Sequence, residues 1–153
     1  MKIMLVWTGK TKDPRLCQMV ADYTQRIRHF LELSVLELRP AVGHTPEQIL
    51  EREESRLLEK LNGKDFLVLV DPKGEELTSV ELAEWVGEFR EFSGKRLVFV
   101  LGGHYGVGAR VKSKVHRSLS LSRLTLTHEM ARVVLLEQIY RALTLIHHVP
   151  YHK

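Results

Sequence analysis

Two runs constrain this fold more than anything else in the chain: Phe66-Leu67-Val68-Leu69-Val70 and Leu97-Val98-Phe99-Val100-Leu101. Each is an unbroken series of apolar, β-prone residues, without the polar alternation of a half-solvated strand. Each therefore predicts a strand covered on both faces, as in a parallel sheet. Parallel neighbours need a crossover segment between them. The sequence supplies one, with Thr78-Ser79 opening a helix through Leu82, Ala83, Val86 and Phe89 that Ser93-Gly94 stops. The same alternation runs through the rest of the chain. Residues 2–7 read as a buried first strand ended by Thr8-Gly9-Lys10. Pro14 starts a helix through Met19, Val20, Tyr23, Ile27 and Phe30, and residues 33–38 read as a second strand. Thr45-Pro46 form an N-cap and first-turn pair for an acidic helix through Ile49, Glu53, Leu57, Leu58 and Leu61, which Asn62-Gly63 stops. A basic helix is expected over 109–117. Strand and helix in turn predict an α/β layer with a mainly parallel sheet. With no repeat, low-complexity segment or linker, 153 residues predict one domain.

The last third is the most unusual. Residues 119–126 alternate without a cleanly apolar face, which suits a short strand or an ordered loop. Thr127 stands at an N-cap position. Residues 128–146 contain no Gly or Pro, and apolar residues occupy nearly every side of the helical wheel. A surface helix keeps a polar stripe. This one is either a central core helix or a helix facing a second subunit, and the dimer is the preferred reading for a chain of this length. Glu137 and Arg141, four apart, share a face.

Composition excludes several classes. No stretch approaches the ~20 apolar residues of a membrane span, and the apolar run in MKIMLVW is too short for a signal peptide. The lone Cys17 excludes an internal disulfide and a thiolate cluster. A soluble, cytosolic protein is expected. The net charge of +4 is unevenly spread: residues 101–153 carry eight Lys/Arg against two Asp/Glu, residues 41–100 eight against thirteen. Arg110, Lys112, Lys114, Arg117 and Arg123 therefore mark a candidate anion-facing side, with a solvated face as the plain alternative.

Ligands of parallel sheets bind beyond the carboxyl ends of the strands. Three segments fall there: residues 70–74, 101–106 and 121–127. Together they can enclose a nucleoside-like ligand. The Gly-rich loop from Gly102 to Gly108 matches neither G-x-G-x-x-G nor a P-loop. His128-Glu129-Met130-Ala131-Arg132 resembles H-E-x-x-H, but a guanidinium replaces the second ligand, which excludes a zinc protease. His147, His148 and His152 have no local carboxylate or thiolate beside them, and no functional metal is expected. There is no nucleophile elbow. The tail Pro150-Tyr151-His152-Lys153 combines an aromatic, an imidazole and an ammonium.

Taken together, LVDPKG, FVLGGHYGVG, LSLSRLTLTHEMAR, LLEQIYRA and the terminal PYHK resemble the ribosomal large subunit methyltransferase H family over essentially the whole chain. These are SPOUT-superfamily enzymes that methylate N3 of a pseudouridine in 23S rRNA. Val70 and Leu101 depart from the residues common at their positions, where backbone and apolar contact are what is needed. The resemblance implies a SPOUT-type mainly parallel sheet flanked by helices with a deep C-terminal trefoil knot, against the general rule that chains are unknotted. It implies a homodimer packed through the long helix, S-adenosylmethionine as the cofactor, and 23S rRNA in the assembled ribosome as the partner, with no metal and no membrane. Carried onto this chain, the cofactor would be held by Val70, Asp71, Gly103, Ser122, Arg123, Leu124, Thr125, Leu126 and Thr127.

The implied chemistry asks for a group that removes or stabilises the loss of an imide proton, because N3 is poorly nucleophilic until it is deprotonated. His152 is the candidate base. Tyr151 would stack on or hydrogen-bond the base, Arg141 would stabilise the anion or hold phosphate, and Glu137 would orient Arg141. RNA contacts are expected at Arg110, Lys112, Lys114, Arg117 and Arg132. N3 lies on the pairing edge, so the target must be unpaired or extruded. A non-catalytic dimeric RNA- or ribosome-binding module of the same fold is the alternative, and a nucleotide-binding α/β enzyme of another reaction type is a third reading.

Overall fold

The computed structural model describes residues 1–92 and 94–151. Five strands, β1 (Lys2–Thr8), β2 (Glu32–Leu38), β3 (Phe66–Glu76), β4 (Arg96–Leu101) and β5 (Arg117–Ser120), form one sheet in the order β2-β1-β4-β3-β5. Every pairing is parallel. The two all-apolar runs lie side by side near the middle, with Val68 and Leu5 both opposite Phe99. Helices α1 (Pro14–Arg28), α2 (Pro46–Leu58), α3 (Ser79–Phe92), α4 (Ala109–Lys112) and α5 (His128–Ile146) cover the two faces.

The period of two along each strand divides the core. Ile3, Leu5, Trp7, Val68, Leu97, Phe99 and Leu101 point to the side of α1, α3 and α5, where Ile27, Val86, Leu135, Leu136 and Ile139 meet them. Met4, Val6, Leu67, Leu69, Val98 and Val100 point to the other side, against Leu57 of α2 and Val111 of α4. Fully burying each of these side chains contributes roughly 2 kcal/mol. The helix starts follow their N-cap signals. Thr45 accepts from the Gln48 N–H at 3.2 Å with Pro46 beside it, and Thr127 accepts from Met130. Thr78 and Glu81 bond reciprocally, at 2.7 and 3.2 Å, as a capping box.

Four local readings change. α1 ends at Arg28, leaving Phe30 in the following turn. Residues 71–74 are not a simple turn but part of β3, which carries a register shift: Val70 and Glu75 both stand opposite Leu119 of β5. Gly74 sits at that crossing, where a Cβ would come within 2.6 Å of the Leu119 backbone, so no other residue fits. The basic helix over 109–117 shrinks to four residues. Backbone bonds from Lys114 to Val111 and from Val115 to Lys112 tighten it, and the His116 N–H donates to Leu67 O at 2.9 Å, drawing Arg117 into β5. The missing polar stripe of α5 has its explanation inside the protomer. The helix lies between α1 and α3 over the sheet, and none of its residues from 131 to 146 is exposed. Within the protomer its apolar wheel packs as that of a core helix.

One buried ion pair joins the ends of two strands. Asp65, fully buried, takes both nitrogen arms of Arg96 at 2.8 and 2.7 Å and the Asn62 N–H at 2.8 Å. Burial alone would raise its carboxyl, but Arg96 and Asn62 outweigh it and hold it below the usual carboxylate range. A depressed folded pKa adds stability that is present above the unfolded carboxylate range and lost as pH falls through the lower, folded value. Asp65→Ala strands the guanidinium and is expected to cost about 3 kcal/mol in urea unfolding at neutral pH. The difference from wild type should shrink as pH falls below about 4.

Candidate active site

The irregular middle of β3 and the carboxyl ends of β4 and β5 meet the first turn of α5 around a cleft of about 280 Å³. Val70, Asp71 and Pro72 form one wall. Gly102, Gly103, His104 and Gly106 form the second, and Leu121, Ser122, Leu124 and Leu126 the third; His128 and Ala131 close the end. The glycine loop is folded on itself. Gly103 and Gly106 form a bridge with a 2.9 Å N–H···O bond, Gly106 has φ 80°, and a Cβ on Gly102 would lie 2.8 Å from the Gly106 carbonyl carbon. Two carboxylates of α2 support the loop from behind. Glu53 Oε2 lies 2.6 Å from where a Gly103 Cβ would stand, and buried Glu54 accepts the Val111 N–H at 3.1 Å and Arg110 Nε at 2.6 Å. Burial pushes the Glu54 carboxyl up, but the Val111 amide and Arg110 bring it below its ordinary value, so it stays ionised. Ser122 Oγ accepts from the Leu124 N–H at 2.9 Å and orders the third wall.

The lining has a definite chemical character. Among the described residues it holds no Lys or Arg and a single carboxylate, Asp71, whose Oδ1 accepts the Lys73 N–H at 2.7 Å. Most of the rest is backbone and aliphatic surface. Such a cleft suits an apolar or nucleoside-like molecule of zero or positive charge, and leaves a polyphosphate without counterions.

A second cluster lies farther along α5. Glu137 Oε1 accepts from Arg141 Nη2 at 2.5 Å and Nε at 3.0 Å, and from the Tyr151 hydroxyl at 3.2 Å. The Arg141 guanidinium stands 5.0 Å over the Tyr151 ring, which meets Tyr140 edge-on at 4.7 Å, while the Tyr151 and Tyr23 hydroxyls are 3.2 Å apart. Burial, then the Tyr23 hydroxyl and Glu137, raise the Tyr151 pKa well above that of a free phenol, so the hydroxyl remains protonated and donates. The Glu137 contact raises Arg141 as well, keeping it cationic. The candidate base His152 lies outside the described residues. Among the described residues, no three His, Cys, Asp or Glu side chains gather as a metal-binding group.

A family model described as a predicted SPOUT methyltransferase matches residues 1–152. This chain belongs to the SPOUT methyltransferase family. It is 43% identical to a protein of Trichlorobacter lovleyi and 44% identical to one of Geobacter metallireducens, each over 99% of both chains. A protein of Bacteroides fragilis is 37% identical over the same share. All three carry the name Ribosomal RNA large subunit methyltransferase H. A crystal structure of a Bacillus anthracis chain described as an RNA methyltransferase has the same fold, with a TM-score of 0.55, 13% identity and coverage of 94% of this chain and 95% of that one.

The structure gathers part of the predicted SPOUT cofactor set. Val70, Asp71, Gly103, Ser122, Leu124 and Leu126 line the cleft. Arg123 points outward to within 3.9 Å of Glu76, Thr125 is exposed, and Thr127 is occupied as the α5 N-cap. Sequence reasoning missed His128 and Ala131, whose i, i+3 spacing just after the N-cap was the available signal. The expected RNA-facing stripe is broken up. Arg110 is tied to Glu54, and Arg117 to Glu75 and the Trp85 ring, leaving Lys112 and Lys114 exposed. Arg132 is a correction. It is buried, donates to Thr8 O at 2.8 Å and Thr11 Oγ1 at 2.9 Å, and lies 5.1 Å over the Trp7 ring, so it braces the protomer and presents no surface to RNA.

Because a methyl on Gly102 collides with the opposite backbone of its own loop, Gly102→Ala is expected to weaken S-adenosylmethionine binding at least tenfold in calorimetry. The far-UV spectrum should be retained.

Proposed function

We propose that this SPOUT methyltransferase transfers the methyl group of S-adenosylmethionine to N3 of a pseudouridine in 23S rRNA, on the assembled ribosome in the cytoplasm, as a homodimer built from one domain per chain. The observation that carries the reading is the pairing of a cation-free cleft with a separate Tyr-Arg-Glu cluster leading into the PYHK tail. The full-length likeness to proteins named as large-subunit rRNA methyltransferases supports the substrate class. The close pass of Gly74 over Leu119 is compatible with the knotted C-terminal region that the family resemblance implies.

The cleft fits the donor. Asp71 is the lining group of opposite sign to a sulfonium, the glycine loop lets backbone groups approach an adenine, and Leu121, Leu124 and Leu126 offer it apolar cover. Bound there, S-adenosylmethionine supplies a methyl group already activated by a positively charged sulfur. The chain's own residues then have to position the acceptor and manage its proton. Tyr151 keeps its proton and donates it to Glu137, so it positions the Glu137–Arg141 pair instead of acting as the base. Arg141, a fixed cation, stabilises the charge that develops on the imide as N3 loses its proton. His152 follows Tyr151 in the sequence, and an imidazole is the side-chain type suited to accept that proton at neutral pH.

The two clusters do not meet within one protomer. Glu137 is nine residues from His128, which at about 100° and 1.5 Å per residue puts it roughly 14 Å along α5 and on the opposite side of the helix. A second copy that sets its tail against the cleft completes the site, which is the support for the dimer.

Methyl transfer from labelled S-adenosylmethionine to ribosomes lacking the modification tests the reading, with wild type labelling 23S rRNA. His152→Ala should lose at least a hundredfold in kcat at unchanged donor affinity. Mixing Gly102→Asp with His152→Ala before dimers re-form should restore about a quarter of wild-type activity if each site draws on both subunits. A site complete within one protomer would restore none.

A further inference from the structure

A wider groove of about 680 Å³ adjoins the cleft and shares Gly103, His104 and His128 with it. Its far wall is the connection between β1 and α1, residues 9–13. This connection is fixed at several points. Gly9 turns with φ 81° and donates to Leu38 O at 2.8 Å. Glu129 accepts the Lys12 and Asp13 N–H groups at 2.7 and 3.1 Å, and Arg132 holds Thr8 O and Thr11 Oγ1. Glu129 and Arg132 belong to the same stretch of α5 that lines the cleft. One helical turn thus sets the spacing between cleft and groove.

The charges of the groove are unevenly committed. Glu129 is occupied by two amides, Asp13 by Arg15 at 3.1 and 2.8 Å, and Glu53 by the Ala41 N–H at 3.2 Å. Arg132 is buried and bonded to neutral oxygens. Lys10 and Lys12 are exposed, and among the described residues neither ammonium has an ion-pair or hydrogen-bond partner. The free charge at the groove is therefore two cations. On the shared rim His104 meets Tyr105 edge-on at 4.8 Å, and Tyr105 is 44% exposed, an aromatic surface beside the cations.

We propose that Lys10 and Lys12 form a phosphate clamp that holds the RNA backbone beside the target nucleotide, so that the base enters over the His104–Tyr105 rim toward the donor cleft. The inference rests on the rRNA reading above. Unpaired ammonium groups next to an exposed aromatic edge are the combination that binds single-stranded or splayed-out RNA, with phosphate contacts for affinity and stacking for the base. The clamp also supplies RNA-binding charge that the engaged Arg110 and Arg117 do not.

The test compares wild type, the double variant Lys10→Ala/Lys12→Ala, and a control, Lys60→Ala/Lys64→Ala, whose lysines follow α2 away from the groove. Binding to unmethylated ribosomes is measured by sedimentation across a salt series, donor binding by calorimetry, and methyl transfer separately. The clamp variant should bind ribosomes about tenfold more weakly near 0.1 M salt, with the slope of log K against log salt reduced by roughly 1.4. Its KM for ribosomes should rise by a similar factor, with kcat and donor affinity within about twofold of wild type. Affinity and slope equal to those of the control overturn the clamp, as does salt-independent binding by wild type. Wild type that binds ribosomes without transferring methyl overturns the rRNA methylation reading instead, and the binding series still decides the clamp.

Discussion

The first turn of α5 is the joint on which the functional end of the molecule depends. Arg132 is a buried cation without a carboxylate partner among the described residues, its guanidinium held by a backbone carbonyl, a hydroxyl and an indole face. Burial pulls its pKa down, and Glu37 and Glu129 work against that pull. A charge buried on such terms is tolerated only where several neighbours are fixed around it. Its neighbour Glu129 does the complementary work with two amides of the same loop. The end of β1 and the connection after it are thereby held to one helix terminus, and the shape of the cleft follows from that terminus as much as from the strands.

Much of this was readable from the residues. The doubly buried strands announced a parallel sheet because no other setting accepts FLVLV and LVFVL without a polar face, and parallel pairing then put residues 70–74, 101–106 and 121–127 at one edge. The N-caps at Thr45, Thr78 and Thr127 are local chemistry and were equally legible. What a linear pattern does not carry is the choice between two ways of hiding an apolar helix. The missing stripe of α5 read as a subunit surface, whereas α1 and α3 cover it from either side. Nor does composition say which charges are spent. Arg110 and Arg117 looked like part of a basic face, and Arg132 like a further RNA contact, until Glu54, Glu75 and Thr8, all remote in sequence, were found beside them.

The electrostatic plan that emerges is one of separation. Fixed ion pairs and amide-bound carboxylates shape the scaffold, the cleft is nearly free of charge among the described residues, and the Arg141–Glu137–Tyr151 set stands apart on another face of α5. Within one protomer the protonated phenol and the permanent cation thus stand about two and a half turns of α5 beyond His128 at the cleft's end. Residues only a few positions apart in sequence, such as His128 and Glu137, thereby serve different places in space.

The crossing of Gly74 and Leu119 has a bearing on how the chain reaches this structure. The distal half of β3 has no partner until β5 is in place, and β5 lies far downstream. Contacts that close so much intervening chain are slow to form. During synthesis the first four strands can collapse while the end of β3 still waits as an open edge, and the window for mispairing closes only when the last third of the chain arrives.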